Sequence, residues 1–327
     1  MRTPVSGSVR RVAILTALLA VTVTAGCSNN GGNNSSTTSM SMPMGGSHKP
    51  VATTDADWKA VSDILGRTGK FGDSNTVYRI PLVRSDLQVT TGGVQIKPGL
   101  SLGGYAAFGK FDDGTMVMGD LVVTEAELPK LTDALQANSI QQTALHKHLL
   151  EQSPQIWWTH IEGTGDPAKL AQGLKAALDT TAIPPAAAPP AQQPPVDIDT
   201  AAVDAALGRK GTADGGLFKY TLARAETISE NGHVLPPTFG VTTVVNFQPV
   251  GEGKAAINGD FALTATEVNK VIEALCKGGI DVVEVHNHML SDDPHLFFLH
   301  YWAVDDAVTL AKALRPALDA TNLAPAK

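Results

Sequence analysis

Apolar and polar positions along this chain follow two rhythms, and the order of those rhythms is written twice. Residues 57–65 repeat their apolar positions at three- and four-residue steps, as a half-buried helix does. Alternating or β-branched segments follow at 77–83, 94–96, 104–108 and 116–123, and these predict strands. The second half repeats the series, with a helix over 200–207 and strands over 217–223, 233–235, 241–247 and 255–263. Thr124 with Glu127, and Thr264 with Glu267, have the spacing of a capping box. They announce helices over 125–138 and 266–277. Two more strands and a closing helix complete each copy. Hairpins with helices between them predict an α+β fold of two tandem homologous domains, each an antiparallel sheet with helices. A ferredoxin-like arrangement is one form with this order.

The duplication also shows in residue identity. His146, His148 and His160 recur as His286, His288 and His300, each 140 residues on. Met118-Gly119-Asp120-Leu121 recurs as Asn258-Gly259-Asp260-Phe261 at the same offset. A period of that length is far beyond a solenoid repeat and indicates two copies of one compact domain. The copies are expected over 55–182 and 197–327. The Pro/Ala-rich stretch 183–196 between them reads as a semi-extended linker.

The start of the chain has a different character. Arg2, Arg10 and Arg11 precede an apolar run over 12–25 that is shorter than the roughly 20 residues a spanning helix needs. This predicts a signal peptide over 1–27 that ends in Ala25-Gly26-Cys27, which is similar to a lipobox with Cys27 as the lipidated residue. Residues 28–54 are rich in Ser, Asn, Gly and Thr and read as a flexible tether. Met40, Met42 and Met44, with His48 close behind, offer soft ligands, though a short Met cluster in such sequence reads as incidental. The expectation is a membrane partner reached through the lipid anchor, on the extracytoplasmic face of the cell membrane. A net charge of −7 and a pI of 5.7 argue against a nucleic-acid partner. Cys276 is the other cysteine and is expected as a small core residue.

The chemistry gathers at the histidines. If each hairpin is symmetric about Pro154 or Pro294, His148 faces His160 and His288 faces His300, with His146 and His286 two positions along on the same side. That register puts three imidazoles on one patch in each domain. Glu284 continues the His286/His288 face, and Glu162 stands opposite His146, so each patch gains a carboxylate as ligand or second-sphere support. Three histidines of this kind suit Zn, Cu or Fe. The proposed ligands are therefore His286, His288, His300, His146, His148 and His160. The leading reading is metal handling or sensing. The alternatives are a metal-dependent enzyme whose histidine-bound metal activates water, and a metal-free binding or scaffold module in which the histidines pack between the two domains. Asp120 and Asp260 read as turn or capping residues, and Arg84 and Arg224 as surface residues. His233 and His295 have no counterpart in the other half.

The lines Val285-His286-Asn287-His288-Met289-Leu290 and Phe297-Phe298-Leu299-His300-Tyr301-Trp302, after Asn258-Gly259-Asp260-Phe261, resemble the LppY/LpqO family of bacterial lipoproteins. Leu145-His146-Lys147-His148 and Trp157-Trp158-Thr159-His160 carry the same resemblance in the first half. It implies a duplicated domain of unknown function on an exported, lipid-anchored protein, and supplies no activity. Lys147 stands where the second copy has Asn287, a cation that would weaken a metal site in the first domain.

Overall fold

The computed structural model describes residues 48–185 and 192–326. The signal peptide with Cys27, the Met40–Met44 stretch and residues 186–191 of the linker lie outside the described residues.

Each repeat builds one six-stranded antiparallel sheet. The first contains β1 (Lys70–Gly72), β2 (Val77–Val83), β3 (Gly103–Lys110), β4 (Thr115–Thr124), β5 (Gln141–His146) and β6 (Ile156–Gly165), in the order β1-β2-β3-β4-β6-β5. The second contains β7 (Thr212–Asp214), β8 (Leu217–Ala223), β9 (Thr242–Gly251), β10 (Lys254–Thr264), β11 (Asp281–His286) and β12 (Leu296–Asp306), in the matching order β7-β8-β9-β10-β12-β11. Three longer helices accompany each sheet: α1 (Asp55–Leu65), α2 (Leu128–Ala137) and α3 (Pro167–Leu178), then α4 (Thr200–Leu207), α5 (Ala265–Lys277) and α6 (Ala307–Asp319). Strands β3, β4, β6 and β5 with α2 and α3 have the neighbour order of a ferredoxin-like sheet, with that motif's last strand moved ahead of its first.

Period-two alternation sorts the side chains of each sheet onto two buried faces. Phe261, Leu263, Leu299 and Tyr301 face outward against Val271 and Leu275 of α5 and Leu310 and Leu314 of α6. Ile80, Phe108, Leu121 and Ile161 do the same against Trp58, Leu131, Leu135 and Leu174. The inner faces of the two sheets meet each other. Tyr105, Ala107, Met116 and Met118 of the first repeat pack with Leu235, Phe239, Met289 and Phe298 of the second. A second joint cluster places Leu100, Leu102, Leu149 and Trp158 beside Leu217, Ala256 and Trp302. Each such buried side chain contributes about 1.5–3 kcal/mol, so the two repeats form one body with helices outside and two sheets inside.

Several local expectations need correction. The capping box at Thr264 and Glu267 is complete, but the first-repeat helix begins only at Leu128, after Glu127. The expected strands at 94–96 and 233–235 shrink to Val94–Gln95 and His233–Val234. Cys276 is exposed, because the inward stripe of α5 runs through Val271 and Leu275 and passes it by. Arg84 and Arg224 are buried. Arg224 donates to Glu226 and Glu267 and to the Ala262 carbonyl, and Arg84 donates to Asp86, Glu127 and the Val122 carbonyl. A guanidinium fork satisfied this completely can sit inside, where a lone cation could not.

Candidate metal centre

The hairpins that carry the histidines pair four residues away from the symmetric register. His146 lies opposite Trp158 and Ala144 opposite His160; in the second repeat His286 lies opposite Phe298 and Glu284 opposite His300. The ladder stops at His146 and at His286, so His148 and His288 sit just past the strand ends. A slip of four residues, being even, leaves every side chain on its original face. The triads therefore still share the inner face, although His148 and His160, and His288 and His300, are not paired. The same slip, with a bulge between Gln142 and Ala144 adding one residue, sets Glu162 opposite Gln141, not opposite His146.

Because the inner faces meet, the six histidines form one cluster in place of two patches. Ring centroids lie 3.7 Å apart for His146 and His286, 3.8 Å for His148 and His300, and 3.7 Å for His160 and His288. The spacings come in matched pairs. His146–His148 is 4.9 Å and His286–His288 is 5.1 Å; His146–His160 and His286–His300 are both 4.8 Å. The cluster thus straddles an approximate two-fold axis between the repeats. Three groups of donor atoms lie within 4.8 Å of one another: His146 with His148 and His300, His146 with His160 and His286, and Asp260 with His286 and His288. Each of them except the last draws ligands from both repeats.

Asp120 and Asp260 are strand residues of this centre, in contrast to the turn role read from the sequence. They lie within β4 and β10, opposite His160 and His300. Asp260 Oδ2 is 3.2 Å from His288 Nε2, and Asp120 Oδ2 is 3.6 Å from His148 Nε2. Burial, then the neighbouring Asp260 carboxylate, pushes Asp120 up to about 8. Burial, then the surrounding imidazoles, holds His146, His148, His160 and His286 well below the ordinary histidine range. The rings are consequently neutral and keep a lone pair free.

The donors also lack partners. Both nitrogens of His146 and of His286, and Nε2 of His148, His160, His288 and His300, are buried without a hydrogen-bond partner, as are Asp120 Oδ1 and Asp260 Oδ1. An unsatisfied buried polar group costs roughly 1–3 kcal/mol, so eight such nitrogens together approach the roughly 5–15 kcal/mol that stabilises a whole domain. Residues of this composition fit a transition metal.

The surrounding structure aims the lone pairs. His300 Nδ1 donates to the Gly259 carbonyl at 2.7 Å, and His288 Nδ1 donates to the Gly240 carbonyl at 2.9 Å. His160 has the equivalent backbone bond to Gly119. With Nδ1–H committed, Nε2 is left as the coordinating atom. Glycine is required at these places: a Cβ on Gly259 would lie 2.0 Å from the Val244 carbonyl oxygen, and Gly240 has φ +100°. Asn258 Nδ2 donates to the His148 carbonyl at 2.8 Å. The Asn258-Gly259-Asp260 line is therefore a mid-strand device that serves both repeats, and its turn-like composition hid it from sequence reading.

The two glutamates differ from their expected roles. Glu284 Oε2 accepts the Lys147 amide at 2.6 Å, so it steadies the chain between His146 and His148 from the opposite repeat. Glu162 pairs with Glu230 and Asn231, and burial raises its pKa. Lys147 turns away from the centre, with Nζ on Gln155 and over the Trp157 ring. It therefore adds no cation to the cluster. His48 and His233 form a separate surface group with Asp112 and Asp113, at 2.5 Å for His48 Nδ1–Asp112 and 3.0 Å for His233 Nε2–Asp113. His295 Nδ1 donates to Asp292 Oδ1 at 2.7 Å.

A cavity of about 410 Å³ opens over the centre. Asp120, His148, Trp158, His160, Asp260, His288 and His300 line it, together with Arg79, Tyr105 and Lys219.

A family model described as Domain of Unknown Function (DUF1259) matches residues 59–180 and again residues 201–320. No curated protein matches the chain. A solved structure, the trimeric bacterial microcompartment shell protein PduB, is similar over 78% of this chain and 91% of that chain, at 12% identity and a TM-score of 0.22. So loose a likeness carries no argument.

Proposed function

Since the chain belongs to the family described as Domain of Unknown Function (DUF1259), twice over, its role has to be read from its own site, and we propose that the two repeats jointly hold a transition metal in a metal-dependent enzyme. The observation that carries this is the set of buried, partnerless imidazole nitrogens from both repeats, next to two carboxylates and a cavity. His146, His148, His160, His286, His288 and His300, with Asp120 and Asp260, are the ligand set. Zn, Cu and Fe all accept imidazole and carboxylate. A metal held there supplies Lewis acidity to whatever enters the cavity. The chain's own contribution is to keep His146, His148, His160 and His286 neutral, fix the tautomers of His288 and His300 through the Gly240 and Gly259 carbonyls, and line the approach with Trp158 and Tyr105. Tyr105, pushed up to about 12 by burial, stays a hydrogen-bond donor.

The other two readings have less support. A metal carrier needs an exposed site, whereas His146 has no accessible surface and His300 is 2% exposed. A metal-free scaffold needs histidines already satisfied by hydrogen bonds.

The reading is tested by thermal unfolding of chelator-treated protein with and without Zn, Cu or Fe. A saturating ion at a hundred times its Kd stabilises the folded state by about 2.7 kcal/mol. A protein indifferent to all three ions would sink the proposal.

The same reading extends to the LppY/LpqO resemblance, with Cys27 acylated and the metal-binding repeats held at the extracytoplasmic face. Support comes from the basic start, the short apolar run and Ala25-Gly26-Cys27. Among the described residues, no helix is long and apolar enough to cross a membrane. Cys27→Ser should move the protein from the membrane fraction to the soluble one. Unchanged partitioning would rule the anchor out.

A further inference from the structure

Two cations converge on the cavity from equivalent positions. Arg79 in β2 and Lys219 in β8 are 140 residues apart, the same offset that relates the histidines, and both line the space over the centre. Arg79 is the unusual one. It is part-buried, donates Nη1 to the Thr238 carbonyl at 2.6 Å and lies 3.3 Å from the centroid of the Tyr105 ring. Burial depresses its pKa, which Tyr105 and Asp120 only partly offset. Among the described residues it has no carboxylate within ion-pair distance, unlike Arg84 and Arg224, each of which has two. A part-buried guanidinium with one neutral protein acceptor has further donors to offer a ligand in the cavity.

The rest of the lining says what would use them. Leu100, Trp158 and Val244 give the cavity apolar walls, and Thr242 and Asn246 give it polar ones. Its volume of about 410 Å³ exceeds what a lone inorganic anion fills. We propose that the cavity takes a small organic oxyanion, a molecule with an apolar body and a carboxylate or phosphate group that Arg79 and Lys219 bind beside the metal centre. This deepens the enzyme reading above and rests on it for the metal. The available positive charge is chiefly that of Arg79, since Lys219 Nζ already pairs with Asp214 at 2.8 Å.

The test uses benzoate, phenyl phosphate and neutral benzyl alcohol as probes, with binding followed by calorimetry on metal-loaded and on chelator-treated protein. The expected result is that at least one of the two anions binds at least tenfold more tightly than benzyl alcohol. Which anion wins separates a carboxylate from a phosphate ligand. Arg79→Gln should weaken that anion about tenfold or more, consistent with loss of a charge-assisted pair, while metal content stays at the wild-type level. Lys219→Gln should act in the same direction. Anions that bind no better than benzyl alcohol, or an Arg79→Gln protein with wild-type anion affinity, would overturn the inference even where metal binds normally. Absence of metal together with Arg79-dependent anion binding would instead retire the enzyme reading and leave the oxyanion pocket standing.

Discussion

At the scale of single residues, the tightest polar knot away from the histidines is centred on Arg224. It donates to Glu226, to Glu267 and to the Ala262 carbonyl, and Glu267 in turn accepts the amides of Thr264 and Asn322. One carboxylate thus caps α5, pins the chain end and pairs with a buried guanidinium. Burial by itself would raise the Glu267 pKa, but Arg224 and the two amides outweigh it and hold the group below the ordinary range. A depressed carboxylate adds stability above its unfolded pKa of about 4.3, and that stability is lost as pH falls through the folded value. Arg224→Gln should therefore cost about 3 kcal/mol at neutral pH, by stranding buried carboxylates. It should also flatten the acid limb of a stability–pH curve. A variant as stable as wild type in chemical denaturation at pH 7 would contradict this account. The sequence offered Arg224 and Arg84 at equivalent positions, but not that two carboxylates would surround each. That closure requires residues 43 positions further on, Glu267 and Glu127, to fold back onto them.

At the scale of elements, the helices and strands were largely legible because periodicity reports burial, and burial is what selects them. The strands β2 and β8 and the helix α4 fall where alternation or three-four spacing puts them. Hairpin register was less legible. The symmetric turn about Pro154 and Pro294 gave a pairing four residues away from the one observed. The shift is even, so the shared face of the histidines survived the error, but the same shift, with one more residue added by the bulge, carried Glu162 away from His146. The Gly-Asp pairs in β4 and β10 were hidden for another reason. They fall within the strands expected over 116–123 and 255–263, but the aspartates read as turn or capping residues, whereas here glycine allows a carbonyl to approach His300 and aspartate faces the histidines from inside the sheet.

At the scale of the whole molecule, duplication has a consequence that neither copy contains. Each repeat presents three histidines and one aspartate on the inner face of its sheet, and the two inner faces close on each other. The ring spacings match in pairs across the contact, and two of the three groups of close donor atoms mix residues from both copies. The sequence could show that both faces exist, since the offset of 140 residues is plain. A contact between the two repeat domains was expected, but nothing in a local pattern reports that these two faces are the ones that make it. The shared centre is the claim on which the enzyme reading depends.

The measurement that tests it most directly is the metal content of the purified protein after exposure to Zn, Cu and Fe, by elemental analysis. Wild type is compared with His146→Ala in the first repeat and His286→Ala in the second, with folding checked by circular dichroism. A joint centre predicts stoichiometric metal in wild type and its loss in both variants, since each histidine lies in donor groups that include the other repeat or its partner aspartate. Two variants that each keep half of the wild-type metal would mean two independent sites, and a wild-type protein without metal would mean none.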